Sequence, residues 1–102
     1  MPRRKPYRLH PEASLEFEAA DEWYLSRSYD TSVAFLSDVY DAMEQISAAP
    51  QRWPKYLYGT RRFVLHSFPF SIVYLYLDEA DSVTIVAVAH SKRRPGYWKG
   101  RA

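Results

Sequence analysis

A chain of 102 residues suits one small domain, 1–102, and its 47% hydrophobic and 17% aromatic content can build a core, which excludes a disordered polypeptide. Cysteine is absent, which excludes disulfides and thiolate chemistry, and no apolar run approaches the ~20 residues of a membrane-spanning helix. The net charge of +2 is unevenly spread: the acids crowd between Glu12 and Glu44 against the lone base Arg27, whereas Gln51–Leu77 and the stretch from Ser82 onward hold bases and no acid. A dipolar surface of this kind has a basic side suited to phosphates or to an acidic protein partner.

Met1 to Lys5 reads as a frayed basic start with no apolar stretch behind it, unlike a secretory signal, so the expected location is cytoplasmic. Tyr7-Arg8-Leu9 alternates and reads as a short edge strand. His10-Pro11 ends it, and Pro11 suits the first turn of a helix. Ala13, Phe17, Ala20 and Tyr24 then recur at helical spacing, with Leu15, Ala19 and Trp23 widening the apolar stripe, while Glu12, Glu16 and Glu18 favour the helix dipole. Ser26–Asp30 breaks the pattern, and Asp30, Thr31 or Ser32 can cap a second helix. That helix carries Leu36, Val39, Met43 and Ile46 on one face, with Phe35 and Ala42 beside them, and Pro50 closes it.

A loop over 51–60 with Trp53-Pro54 and Gly59 leads to a strand over 61–66. Phe68-Pro69-Phe70 connects it to a strand over 71–77, and Asp78-Glu79-Ala80-Asp81 turns into a third. Ser82–Ala89 is β-branched and uncharged, which suits a central strand, and it breaks at His90 into Ser91-Lys92-Arg93-Arg94-Pro95-Gly96-Tyr97-Trp98. The fold class is α+β: a short N-terminal strand and an antiparallel helical hairpin on one face of a small, mainly antiparallel sheet, in the order β-α-α-β-β-β. The last strand places a histidine, three cations and two aromatics at a rigid strand end, a position where sites are commonly built.

The ordered set of Trp23-Tyr24, Phe35-Leu36, Ile46 through Pro50, Arg61-Arg62, Phe68-Pro69-Phe70-Ser71-Ile72-Val73-Tyr74, Ala87-Val88-Ala89-His90 and Arg93-Arg94-Pro95-Gly96-Tyr97-Trp98 resembles the RelE/ParE toxin superfamily. The resemblance covers Tyr7 to Trp98 and looks closest to the ParE-like, plasmid-stabilisation branch. It implies the toxin of a bacterial type II toxin–antitoxin module, neutralised by a cognate, ParD-like antitoxin through which any DNA contact is made. Members of the superfamily either inhibit DNA gyrase or cut mRNA in the ribosomal A site. The expected function is ParE-like blockade of gyrase by binding, with a RelE-like, ribosome-dependent mRNA endoribonuclease as the alternative.

Fold likeness does not choose between these targets, so the side chains must. Cleavage by an attacking 2′-OH needs proton transfer and cations over the developing negative charge. On the ribonuclease reading Arg62, His90, Arg94 and Tyr97 are the catalytic candidates, and the enzyme works without a metal. Arg61, Lys92, Arg93 and Trp98 are the target-binding candidates. Arg61 and Arg62 point to opposite faces of their strand, so one reaches the site. Tyr97 and Trp98 either stack on bases or fold back to seal the sheet. His66 reads as a packing residue and His10 as a surface one. No cofactor, metal or membrane contact is expected: the histidines lack ligand spacing, and three glycines make no phosphate loop. An acidic or amphipathic antitoxin segment is expected over the basic side of the sheet.

Overall fold

The computed structural model describes residues 4–101. A three-residue strand, β1 (Tyr7–Leu9), runs into helix α1 (Pro11–Arg27). Pro11 stands in the first turn, where a missing N–H costs nothing. His10 caps the helix, its Nδ1 accepting from the Glu12 N–H at 3.1 Å, a role its position before the proline conceals. Of the three glutamates expected to serve the dipole, only Glu12 lies in the first turn.

Helix α2 (Tyr29–Ala48) follows after a single residue. The polar break expected over 26–30 is reduced to Ser28, and the cap is Ser28 rather than Asp30, Thr31 or Ser32. Its extended backbone lets α2 fold back on α1. Its N–H donates to the Tyr24 carbonyl, and its hydroxyl accepts from the Thr31 N–H at 3.3 Å. One residue therefore finishes one helix and starts the next. α2 ends at Ala48, two residues before Pro50.

A turn of 3₁₀ helix (Leu57–Gly59) precedes three strands, β2 (Arg61–Val64), β3 (Phe70–Leu77) and β4 (Ser82–His90). The sheet order is β1-β4-β3-β2. β2, β3 and β4 pair antiparallel, and β1 lies parallel to β4, Tyr7 opposite Val83. The uncharged β4 is therefore central, as its composition predicts, and the α+β order β-α-α-β-β-β holds. The strand expected to reach His66 stops at Val64, leaving His66 exposed beyond it.

Both helices pack on one face. Ala13, Phe17 and Ala20 of α1 and Phe35, Val39, Ala42, Met43 and Ile46 of α2 meet Ile72, Tyr74, Val83, Ile85 and Val88. The stripe on α1 is narrower than expected: Leu15 is 58% and Trp23 55% exposed. α1 touches α2 and the sheet along one line of side chains, and residues on either side of that line look outward. At the N-terminal end Lys5 is anchored rather than frayed. Its N–H donates to the Ser47 carbonyl, its own carbonyl accepts from the Ser47 hydroxyl, and its ammonium meets Asp81 at 3.2 Å. Residues 1–3 of the expected basic start lie outside the described residues. No described helix is long and apolar enough to cross a membrane.

One irregularity decides what the sheet presents on its far side. Val73 pairs with Ala87 but Tyr74 pairs with Ile85, so Val86 is an extra, bulged residue in β4. Before the bulge, Val83 and Ile85 face the helices. After it, Val88 does, while Val86, Ala87 and Ala89 face away into a second cluster.

The Tyr74 ring is fully buried, and its hydroxyl donates to the Pro50 carbonyl at 2.7 Å. Burial pushes the phenol up from 10.0 to about 12. A raised pKa means that this stabilisation is complete below pH 10 and is lost as pH climbs toward 12. Urea midpoints measured across that range should fall, and Tyr74→Phe should remove part of the fall while lowering the midpoint at neutral pH.

Candidate functional site

Beyond His90 the chain makes four consecutive reversals, in which the N–H groups of Arg93, Tyr97, Lys99 and Arg101 donate to the carbonyls of His90, Arg94, Gly96 and Trp98. This tail lies across the face of the sheet that no helix covers. Trp98 is 3% exposed and packs with Val73, Val86, Ala87 and Ala89, with Tyr56, Leu75 and Tyr97 around it. The tail thus seals the second face. Gly96 permits the reversal at φ +84, and a Cβ there would stand 2.8 Å from the Tyr58 ring.

The polar anchor of the tail is Glu16. Its Oε1 accepts from the Val88 N–H at 3.1 Å and from Arg101 Nη1 at 3.0 Å. Its Oε2 accepts from the Tyr97 hydroxyl at 2.8 Å, with Arg93 Nη1 at 3.7 Å. Arg101 also donates to the Val86 carbonyl at 3.2 Å. Burial, then the bond to Glu16 and its negative charge, push the Tyr97 phenol far above the usual tyrosine range, against a smaller pull from Arg93 and Arg101. The hydroxyl is therefore a firmly held donor at neutral pH.

Between the tail and β2–β3 runs a groove of about 350 Å³. Arg62 and Arg93 line it together with Tyr97 and Trp98, over a floor that includes Ser71, Val73 and Ala89. Each of the two guanidiniums lies on an aromatic ring: Arg62 on Tyr56 at 4.1 Å and Arg93 on Tyr97 at 3.7 Å. Four of the eight candidates singled out from the sequence therefore meet in one place.

Of the other four, His90 reaches only the border of the groove, and Arg61, Lys92 and Arg94 lie outside it. Arg61 points to the opposite face, where its Nη1 donates to the carbonyls of Gln51 at 3.2 Å and Trp53 at 2.8 Å, pinning the loop beside Tyr74. His90 borders the groove, but its imidazole packs edge-on against Phe70 at 5.0 Å, and Phe70 belongs to the helix side. Its Nδ1 accepts from the Lys92 N–H at 3.0 Å, which holds the turn. The bulge at Val86 is the reason: it moves even-numbered residues of the strand end, His90 included, onto the helix face. Lys92 lines a separate recess with Trp23, Tyr24 and Phe70, and Arg94 is exposed and does not line the groove.

Sequence reasoning missed Glu16, Tyr56 and Arg101. Glu16 offers one faint signal: it is an acid one residue before the core position Phe17, beside rather than opposite the buried stripe. Among the described residues, no three His, Asp or Glu side chains gather as metal ligands. A second cleft, apolar with an acidic rim, lies between β1 and the hairpin, lined by Leu9, Phe17, Leu36 and Met43 with Glu18 and Asp21.

Glu16→Ala leaves Arg101 and the Val88 N–H without their acceptor, and breaking a partly buried pair in this way costs about 3–5 kcal/mol. Urea unfolding should show that loss, and trypsin should cut after Lys92, Arg93 and Lys99 faster than in the parent under native conditions. Gly96→Ala places a side chain on a left-handed backbone and should cost roughly 1–3 kcal/mol on the same assay, while the exposed Tyr58 ring can move aside.

The comparisons with known proteins agree with this architecture. No curated protein matches the sequence. Among solved structures, a chain of the chromosomal ParDE toxin–antitoxin system from P. aeruginosa superposes with a TM-score of 0.74 at 12% identity, covering 87% of this chain and 98% of that one, a likeness of fold. The family model for the ParE toxin of the type II toxin–antitoxin system parDE matches residues 7–95, from β1 through the first reversals of the tail. On that match the chain belongs to the ParE toxin family of type II toxin–antitoxin systems.

Proposed function

We propose that this ParE-family toxin acts by binding a protein target, DNA gyrase, in the cytoplasm, and that a cognate ParD-like antitoxin neutralises it and makes any DNA contact. The observation that carries this reading is how the proton-transfer candidates are bonded. An acid and a base must both come within hydrogen-bond reach of one reacting centre. Tyr97 has given its proton to a bond with Glu16, and a phenol pushed up in pKa is a poor base at neutral pH. His90 borders the groove, but its imidazole packs edge-on against Phe70 of the helix side and its Nδ1 already accepts from the Lys92 N–H. What the groove offers is fixed positive charge over an apolar floor, which is suited to recognition.

One observation favours the ribonuclease alternative. Arg62, Arg93 and Tyr97 share a groove, an arrangement that would stabilise a phosphorane. Two assays separate the readings. Purified protein is added to gyrase supercoiling reactions and to translating ribosomes followed by primer extension. Loss of supercoiling with intact mRNA is expected, and A-site cuts with supercoiling untouched would overturn the proposal. His90→Ala and Tyr97→Phe should keep gyrase inhibition within about threefold of the parent, whereas loss of a proton-transfer group from an RNA-cleaving site lowers the rate about 10²–10⁴-fold.

A further inference from the structure

We propose that the recess between the end of α1 and the end of β4 binds a small aromatic carboxylate, with its ring against Trp23, Tyr24 and Phe70 and its carboxylate on His90 and Lys92. The inference concerns a cavity other than the groove and stands whichever target the toxin has.

The first argument is shape. The cavity holds about 380 Å³, within the range of roughly 300–1,000 Å³ for small-molecule sites. α1 contributes Ala20, Trp23 and Tyr24, and the end of the sheet contributes Pro69, Phe70, His90 and Lys92. The walls are rings set edge to face, Trp23 on Tyr24 at 5.2 Å and Phe70 on His90 at 5.0 Å. Trp23 is 55% exposed, so a flat body seated here buries apolar surface that folding leaves in water.

The second argument is that the polar side chains of the recess are donors. His90 Nδ1 accepts from the Lys92 N–H, so the neutral imidazole carries its proton on Nε2. Burial pushes the Tyr24 phenol up, which keeps its proton in place at neutral pH. Neither that imidazole N–H, nor the phenol, nor the Lys92 ammonium has a hydrogen-bond or ion-pair partner among the described residues. The nearby acceptors are used: the carbonyls of Tyr24, Pro69 and His90 accept from the N–H groups of Ser28, Ser91 and Arg93. No acid among the described residues lines the recess, and Arg27 on the Trp23 ring at 4.5 Å adds a second cation beside it.

An occupant must therefore bring a ring and acceptors, and few donors. A carboxylate offers both its oxygens to an imidazole N–H and an ammonium, and charge-assisted bonds of this kind are the strong ones. An amino acid fits poorly, because its ammonium would sit beside two cations with no acceptor. A nucleobase brings N–H donors of its own, which the recess would leave unpaired.

The test uses the whole chain, isothermal titration calorimetry and amide NMR, with indoleacetate as the probe. Saturable binding to a single site is expected, with shifts at the Trp23 indole N–H and the Lys92 amide. Tryptamine, which exchanges the carboxylate for an ammonium, should not bind. Tryptophan, which adds an ammonium, should bind about tenfold or more weakly. Lys92→Met should weaken the probe by about tenfold, and Trp23→Ala by a similar factor. Both side chains are exposed, so neither change empties the core. Sodium acetate should leave the Trp23 signal unmoved. No saturable binding, tryptamine binding as well as the probe, or equal affinity in the parent and Lys92→Met overturns the site. Acetate reproducing the shifts overturns it as well, since an exposed cation then meets any anion. Tighter binding of N-acetylphenylalanine than of phenylacetate assigns the recess to the C-terminal residue of a protein, and tighter binding of uridine monophosphate than of indoleacetate assigns it to nucleotides; either overturns the proposal.

Discussion

A single carboxylate, Glu16, determines how this molecule can present a basic face at all. β1 is three residues long and ends at Leu9, while β4 continues to His90. Past the end of β1 the edge of β4 has backbone groups with no strand beside them, and buried backbone polar groups need partners. Glu16 accepts from the Val88 N–H, and Arg101 donates to the Val86 carbonyl. The two side chains, bonded to each other, stand in for the missing continuation of β1. The remaining Glu16 oxygen takes Tyr97. One group therefore joins α1, the central strand and the tail.

Two effects follow from that junction. The tail is held by its polar end at Glu16 and by its apolar end at Trp98, so the cations between them are presented from a fixed scaffold rather than a loose extension. The junction also occupies the Tyr97 hydroxyl. A buried phenol that donates its proton in a hydrogen bond to a carboxylate has exchanged reactivity for placement. The remaining chemistry on the helix-free face is that of the guanidiniums and the apolar floor between them.

Much of the fold was readable from local pattern. The uncharged, β-branched run of 82–89 marked the central strand, the repeat of Leu36, Val39, Met43 and Ile46 marked α2, and short connections, Phe68-Pro69-Phe70 and the polar turn 78–81, ordered β2, β3 and β4. These signals are written within one element. The site was legible as a set of residues but not as a geometry. Glu16 and Arg101 are 85 positions apart, and no periodicity links them. The bulge at Val86 leaves no mark in a run of small and β-branched residues, yet it sets which face His90 occupies. Ser28 was hidden for a related reason: several polar residues in a row offered equally good caps, and only the packing of α2 against α1 selects among them.

Basic residues interleaved with aromatics are an ambiguous pattern in a sequence. The rings can be open platforms for bases, or they can be shelves for the chain's own cations. Here the second holds, with Arg62 on Tyr56 and Arg93 on Tyr97. The distinction changes what binding costs. An arginine free in solvent must give up rotamer freedom to grip an anion, at about 0.5–1.5 kcal/mol for each side chain immobilised. An arginine already stacked has lost part of that freedom on folding, and its planar fork is aimed before a partner arrives. The aromatic content of this small chain thus acts twice: in the core it fills space between the helices and the sheet, and on the opposite face it orients charge.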